Sequence, residues 1–433
     1  MNKFIKILFI FLISANCSLH KSKFWTKIEV IEEEKSANKV KIFAREENLN
    51  LEINPSLKIS LYTKPINRSF FNNFDNNNGR INYDGNLKNI SKFKFSKIAN
   101  FNQYDPSISF ENENVIFFDN KGSLLKFDKN SNLIWKKNHY SKREKKLNPI
   151  LQFSNNNEVL IVGDNISKYY AMDISDGKLK WLKNHTSPFN SQIKIFKDRF
   201  FIIDFENTLR CFSVKDGSEI WSIKTEDSLV RSQKKLSFII IDEKIYFNNS
   251  LGDISAVDIQ SGELLWLRPT QSKLVYDEGF FVKTSDLIAD NESIYFSNNK
   301  NRFYSLEINT GTLNWMQSIN SNLRPTLIDK YVFTVSLEGY LIVIDKISGK
   351  IIRSTDVFRN FKPKKRSKIL PVGFIVGINK IYLTTDNGKL LIIDTTTGIT
   401  TSTLKIAKDK ISRPFVLNQN LYIIKDNSII KLN

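Results

Sequence analysis

Few residues in this 433-residue chain have the type and spacing to do chemistry. The three histidines are His20, His139 and His185. The last two follow tryptophan strands in the same place, as Lys137-Asn138-His139 and Lys183-Asn184-His185. Repetition of a structural unit explains that likeness better than a metal pair. No His-Glu-x-x-His, phosphate-binding glycine loop or Gly-x-Ser-x-Gly elbow occurs. Asp173, Asp258, Asp345 and Asp394 recur, but each opens an Asp-x-x-x-Gly turn. A carboxylate there accepts hydrogen bonds from backbone N–H groups two or three residues on, which makes these residues turn formers and not catalytic acids. The two cysteines, Cys17 and Cys211, exclude a disulfide framework. Cys211, within Leu209-Arg210-Cys211-Phe212, reads as a buried small hydrophobe. The expectation is no catalytic residue, no metal and no cofactor.

The same turns show what architecture carries them. An apolar run, an Ile-Tyr-Phe type strand, a polar turn, a second alternating strand, the Asp turn and a tryptophan strand recur in that order. Trp135, Trp181, Trp221, Trp266 and Trp315 lie 46, 40, 45 and 49 residues apart, the length of a four-stranded propeller blade. Gly177, Gly217, Gly262 and Gly311 precede four of them by four residues. Glycine supplies the positive φ of the turn without a Cβ clash. The indole buries a large flat ring and keeps one N–H donor, suited to the joint with the next blade. In the first copy Asn132 stands at the glycine position. Two later copies carry Arg353 and Ser402 where the tryptophan belongs, and these joints are expected to be the weakest of the ring.

Seven repeats are read at about 104–138, 148–184, 187–224, 232–269, 280–317, 324–356 and 369–406. A remnant follows, opening as Arg413-Pro414-Phe415 much as an earlier repeat opens as Arg324-Pro325-Thr326. It holds too few strands for a blade. Ile90-Ser91-Lys92-Phe93-Lys94-Phe95-Ser96-Lys97-Ile98 alternates correctly and has no blade of its own, so it is expected to supply the missing outer strand. Without that strand an open edge would invite aggregation. The predicted fold is all-β: an eight-bladed β-propeller with tryptophan-docking repeats over 88–433, its last blade closed by an N-terminal strand. Forty-one per cent apolar and 12% aromatic residues suit such a strand-rich globular body.

Ahead of the repeats, Met1-Asn2-Lys3-Phe4-Ile5-Lys6 followed by the apolar run Ile7 to Ile13 reads as a secretory signal over 1–16. The run is too short to span a bilayer. It ends at Ser14-Ala15-Asn16-Cys17, which resembles a bacterial lipobox with Ser14 and Asn16 in place of the usual Leu and small residue. Lipidation is therefore expected at Cys17. Ser18 after it, in place of Asp, implies the outer membrane under the Gram-negative sorting rule. Residues 17–87 read as a lipidated tether and an extension that wraps the body. The formal charge of +19 is spread over turns and strand edges; its densest run, Lys362-Pro363-Lys364-Lys365-Arg366, falls in one predicted loop. Nucleic acid is not expected as a partner, because that role needs clustered basic and aromatic surface.

The repeats resemble the quinoprotein (PQQ-type) propeller motif Ala-x-Asp-x-x-x-Gly-x-x-x-Trp, as in Ala171-Met172-Asp173 to Gly177 and Trp181, and in Ala256-Val257-Asp258 to Gly262 and Trp266. The resemblance covers about 88–433. It implies fold and not activity. Quinoprotein dehydrogenases with this repeat use PQQ and calcium, usually under an adjacent Cys–Cys disulfide that this chain lacks. The leader, Cys17, size and blade count are similar to the BamB family of outer-membrane lipoproteins. That resemblance implies a non-catalytic scaffold of the β-barrel assembly (Bam) complex, lipid-anchored at the periplasmic face of the outer membrane. The implied partners are a BamA-like barrel, other Bam components and unfolded outer-membrane proteins. The family's BamA-contacting loop, of Leu-x-Leu-Arg pattern, corresponds to Ser228-Leu229-Val230-Arg231. Leu229, Val230 and Arg231 are the implied contact residues. The family's Asp-x-Asp pair is absent where this chain reads Phe281-Val282-Lys283, although Asp277-Glu278 lies close. The alternatives are a cofactor-binding dehydrogenase propeller and an envelope lipoprotein with other partners.

Overall fold

A computed structural model describes residues 51–67, 79–225, 232, 234–270 and 282–433. The alternating segments fold into eight four-stranded antiparallel sheets, the blades of a β-propeller. Blades 1 to 7 take consecutive strands, from Ser109–Glu111 through Leu133–Lys137 in blade 1 to Pro371–Val376 through Thr400–Lys405 in blade 7. Blade 8 joins the two ends of the propeller. Phe415–Leu417, Asn420–Lys425 and Ser428–Leu432 are completed by Asn89–Lys94, with Phe93 opposite Ile429. Lys88 and Asn433 exchange backbone hydrogen bonds of 2.8 and 3.0 Å beyond it. The expected closure is therefore present.

Burial follows strand position within each blade. In blade 2, Val159–Asp164 and Lys168–Asp173 are almost wholly buried, whereas Leu179–Asn184 is largely exposed. Strands covered by blades on both faces read as continuous apolar runs, and the outer strand reads as mixed. Every outer strand of blades 1 to 7 also carries a register shift. In blade 3, Trp221 pairs with Cys211 but Glu219 pairs with Phe212, leaving Ile220 as the extra residue. A bulge of this kind sharpens the local twist and re-aims the next side chain, here toward the neighbouring blade.

Two local expectations differ in detail. In the first repeat Ser131, at φ 70°, takes the left-handed conformation assigned to Asn132. Asn132 instead donates its backbone and side-chain N–H groups to Asp128, both at 2.8 Å. The basic run read as a loop contains one helical turn, Pro363–Arg366, tied by the Arg366–Asp356 ion pair.

The chain ahead of blade 8's outer strand packs along blades 6 to 8. Ile53 bridges to Ser354, Ile59 N–H donates to Thr396 O at 2.9 Å, and the N–H groups of Tyr62 and Thr63 donate to the Asp329 carboxylate at 2.8 and 2.9 Å. Farther along, Ile81 N–H donates to Val376 O at 2.8 Å and Arg80 reaches Ile378 O at 2.6 Å. Ile59, Ile81 and Tyr83 are each at most 2% exposed.

Candidate functional site

The tryptophans lie at the blade joints. Each indole N–H donates to the carbonyl of the residue after the next blade's turn opener. Trp135 reaches Ile174 O at 3.2 Å, Trp181 Val214 O at 2.9 Å and Trp221 Ile259 O at 3.3 Å. Trp266 reaches Ile308 O at 3.2 Å and Trp315 Lys346 O at 3.0 Å. The ring lies against the next blade's turn glycine. A Cβ on Gly217 would come within 2.6 Å of Trp181, and one on Gly262 or Gly311 within 2.6 Å of Trp221 or Trp266. Gly177 faces the Trp135 ring and the stem of Lys137 in the same way. These glycines thus serve both the turn, at φ between 68° and 75°, and the flat seat of the ring.

The two joints where the repeats carry Arg353 and Ser402, expected to be the weakest, are filled by other means. Arg353 is fully buried and donates to Thr395 O at 3.3 Å, the carbonyl equivalent to those the indoles use, and also to Thr396 O and Leu57 O. Burial pulls its proton affinity down to about 10, against the attraction of Asp394, which leaves it charged at neutral pH. At the joint between blades 7 and 8, Ser402 is exposed. Ile81 and Tyr83 enter instead, among Ile392, Val416, Ile423 and Leu432, with the Tyr83 and Tyr382 rings 5.0 Å apart. Sequence reasoning missed these residues because they come from a segment without periodicity.

Of the remaining expected site residues, Cys17, Leu229, Val230 and Arg231 lie outside the described residues, as do Asp277 and Glu278. The flanks of the 226–231 segment are well held. Thr225 N–H donates to Asn207 O at 3.4 Å, Ser232 N–H donates to Ser250 Oγ at 3.0 Å, and Asn190 binds Ser232 O at 2.8 Å. These bonds tie Thr225 to blade 3 and Ser232 to blades 3 and 4. His139 packs on Tyr170 with ring centroids 5.3 Å apart, and burial lowers its proton affinity. His185 is tied to Ser187 at 3.1 Å. Among the described residues no group of three or more His, Cys, Asp or Glu could hold a metal ion. Cys211 is buried and free, its thiol pushed up to about 12 by desolvation.

Segments leading into the innermost strands of all eight blades line one cavity of about 1170 Å³, which puts it on the axis of the ring. Lys234 reaches across to blades 5 and 6, donating to Thr284 O at 2.8 Å and Asn322 O at 2.6 Å. Lys235 reaches blade 1, donating to Ser107 Oγ at 3.0 Å. Lys410 ion-pairs with Asp105 at 2.8 Å. Burial would raise Asp105 and Asp286, but surrounding cations hold both below the usual carboxylate range: chiefly Lys410 for Asp105, and Lys234 and Arg324 for Asp286. Desolvation pulls Lys235 down to about 8.

Residues 120–355 match the family model described as outer membrane protein assembly factor BamB. No curated protein sequence matches the chain. Among solved structures, BamB from Moraxella catarrhalis superposes with a TM-score of 0.66 at 15% identity, covering 80% of this chain and 99% of that one. Quinohemoprotein alcohol dehydrogenase from Comamonas testosteroni gives 0.60 at 10% identity, covering 82% and 78%. A europium-containing methanol dehydrogenase gives 0.61 at 10%, covering 82% and 89%. Identities this low speak for the shared propeller alone. The family match, by contrast, runs from the second strand pair of blade 1 to the outer strand of blade 6, more than half of the sequence. The chain therefore belongs to the family of outer membrane protein assembly factor BamB.

Proposed function

We propose that the chain is a non-catalytic scaffold lipoprotein of the outer-membrane β-barrel assembly complex, working by protein–protein contact. The observation that carries this reading is the family match over 120–355, which spans the segment 226–231. Leu229, Val230 and Arg231 are the proposed contacts with a BamA-like barrel. An arginine flanked by apolar side chains is a common interface anchor, its guanidinium giving direction and the neighbours giving burial. Lipid on Cys17 would hold the propeller at the periplasmic face of the outer membrane. The exposed outer strands of the blades offer edges to which extended chains of unfolded barrel proteins can add.

Affinity capture from solubilised outer membranes tests this. The wild-type chain is expected to recover a BamA-like barrel, and Arg231→Glu to lose it. Failure of the wild type to recover any such barrel overturns the reading. Cys17→Ser is expected to move the protein from the membrane to the soluble fraction. A second reading, a cofactor-binding dehydrogenase, is favoured only by the shared fold with the two dehydrogenases. Quinone absorbance in the purified protein, with calcium-dependent dye reduction, would support it over the scaffold.

A further inference from the structure

We propose that the axial cavity is a binding site for a small polyanion carrying phosphoryl groups, held by Lys234, Lys235, Lys410 and Arg413. Nothing in the scaffold reading requires this site, and the two stand or fall separately.

Among the described residues, seven cationic side chains and three carboxylates line the cavity, a surplus of four positive charges around one space. Asp105 and Asp286 lie within the cationic cluster, with Lys234, Lys235 and Arg413 around both, Lys410 beside Asp105 and Arg324 beside Asp286. Two acids do not neutralise that set. The cations are also held in place. Carbonyl oxygens of Thr284 and Asn322 grip Lys234, the Ser107 hydroxyl grips Lys235, and the carbonyl of Tyr104 and the Asp105 carboxylate grip Lys410. Carbonyl and hydroxyl groups orient an ammonium without cancelling its charge. Like charges gathered away from bulk water repel, and the lowered proton affinity of Lys235 reflects that burial. A multiply charged oxyanion relieves the repulsion and accepts several charge-assisted bonds at once. The cavity volume of about 1170 Å³ leaves room for more than one phosphoryl group.

The surplus arises from ring closure. Lys234 and Lys235 lead into blade 4, Asp286 into blade 5, Arg324 into blade 6 and Arg413 into blade 8, and only the closed propeller turns these segments toward one axis. The site is therefore absent from any single repeat.

The phosphoryl group can belong to a soluble compound or to a lipid headgroup. Calorimetric titration of the folded full chain with pyrophosphate, at constant ionic strength set by chloride, reads the soluble case. Sedimentation with phosphatidic-acid vesicles, against phosphatidylcholine vesicles, reads the headgroup case. Saturable binding in either arm is expected. Lys235→Gln, which keeps a hydrogen-bond donor near Ser107, is expected to weaken it roughly tenfold or more, the size of one charge-assisted bond. Arg413→Gln is expected to act similarly. Lys364→Gln, on the exposed helical turn, is expected to leave affinity unchanged. Circular dichroism and the unfolding midpoint establish that each variant is folded. The proposal is overturned if neither arm saturates for the wild type, or if folded Lys235→Gln and Arg413→Gln bind as tightly as the wild type.

Discussion

Replacing Arg353 by alanine should loosen both the joint between blades 6 and 7 and the segment that crosses it. Arg353 has no exposed surface, and its guanidinium is the shared donor for carbonyls of blade 7 and of Leu57. Removing it leaves Thr395 O, buried at the joint, without this partner, whereas Leu57, 41% exposed, can turn its carbonyl to water. The buried orphaned acceptor costs about 1–3 kcal/mol, and the empty space adds a packing loss, whereas the unfolded chain no longer gains from hydrating a buried cation. The net expectation is a loss of about 2–4 kcal/mol. Arg353→Trp should cost less, about 1–2 kcal/mol, because an indole N–H can reach Thr395 O as it does at the other five joints, while Leu57 O still loses its partner. Denaturant unfolding followed by tryptophan fluorescence gives the stabilities. Limited proteolysis mapped by mass spectrometry reports on residues 51–67, which should be cut faster in both variants. An unchanged midpoint for Arg353→Ala, with 51–67 still protected, would refute the claim that this side chain ties extension and joint together.

Three further outcomes follow from the same geometry. Gly311→Ala should destabilise by about 1–3 kcal/mol, since its φ is 68° and the added Cβ would lie 2.6 Å from the Trp266 ring; a midpoint within error of wild type would contradict the seat described for the indole. A chain beginning at residue 96 lacks the outer strand of blade 8, and light scattering should show it aggregating through the bared edge of Ser428–Leu432 while a chain beginning at residue 80 stays monodisperse. Acid should loosen the turns: Ser175 hydrogen bonds hold Asp173 near 2, below its value in an unfolded chain, so its contribution is present above about pH 4 and is lost as pH falls toward 2. Asp173→Asn should flatten that part of the pH–stability curve.

Much of the ring was legible because its information is local and repeated. The turn opener, glycine and tryptophan sit within about nine residues of one another, so each blade announces itself. The closing strand was readable because its alternation had no blade nearby and the last blade lacked a strand. The filled joints were not readable. Arg353 looks like a lost tryptophan until its acceptors, the carbonyls of Leu57 and Thr395, are brought beside it. Ile59, Ile81 and Tyr83 are single insertions from an aperiodic segment. The axial charges are scattered from residue 105 to residue 413, with only the shared Arg-Pro opening at 324 and 413 as a hint that equivalent positions carry cations. Leu229, Val230 and Arg231 came from family resemblance and not from spacing, and they lie outside the described residues.

The most direct test of the scaffold reading is a photoreactive amino acid placed at position 231 in the membrane-anchored protein, followed by crosslinking in intact cells and identification of the adduct. One dominant adduct with a BamA-like outer-membrane barrel is expected, lost when Leu229 is also changed to Glu. Crosslinking that yields no such barrel, or that yields it equally from Lys364 on the helical turn after blade 6, would contradict it.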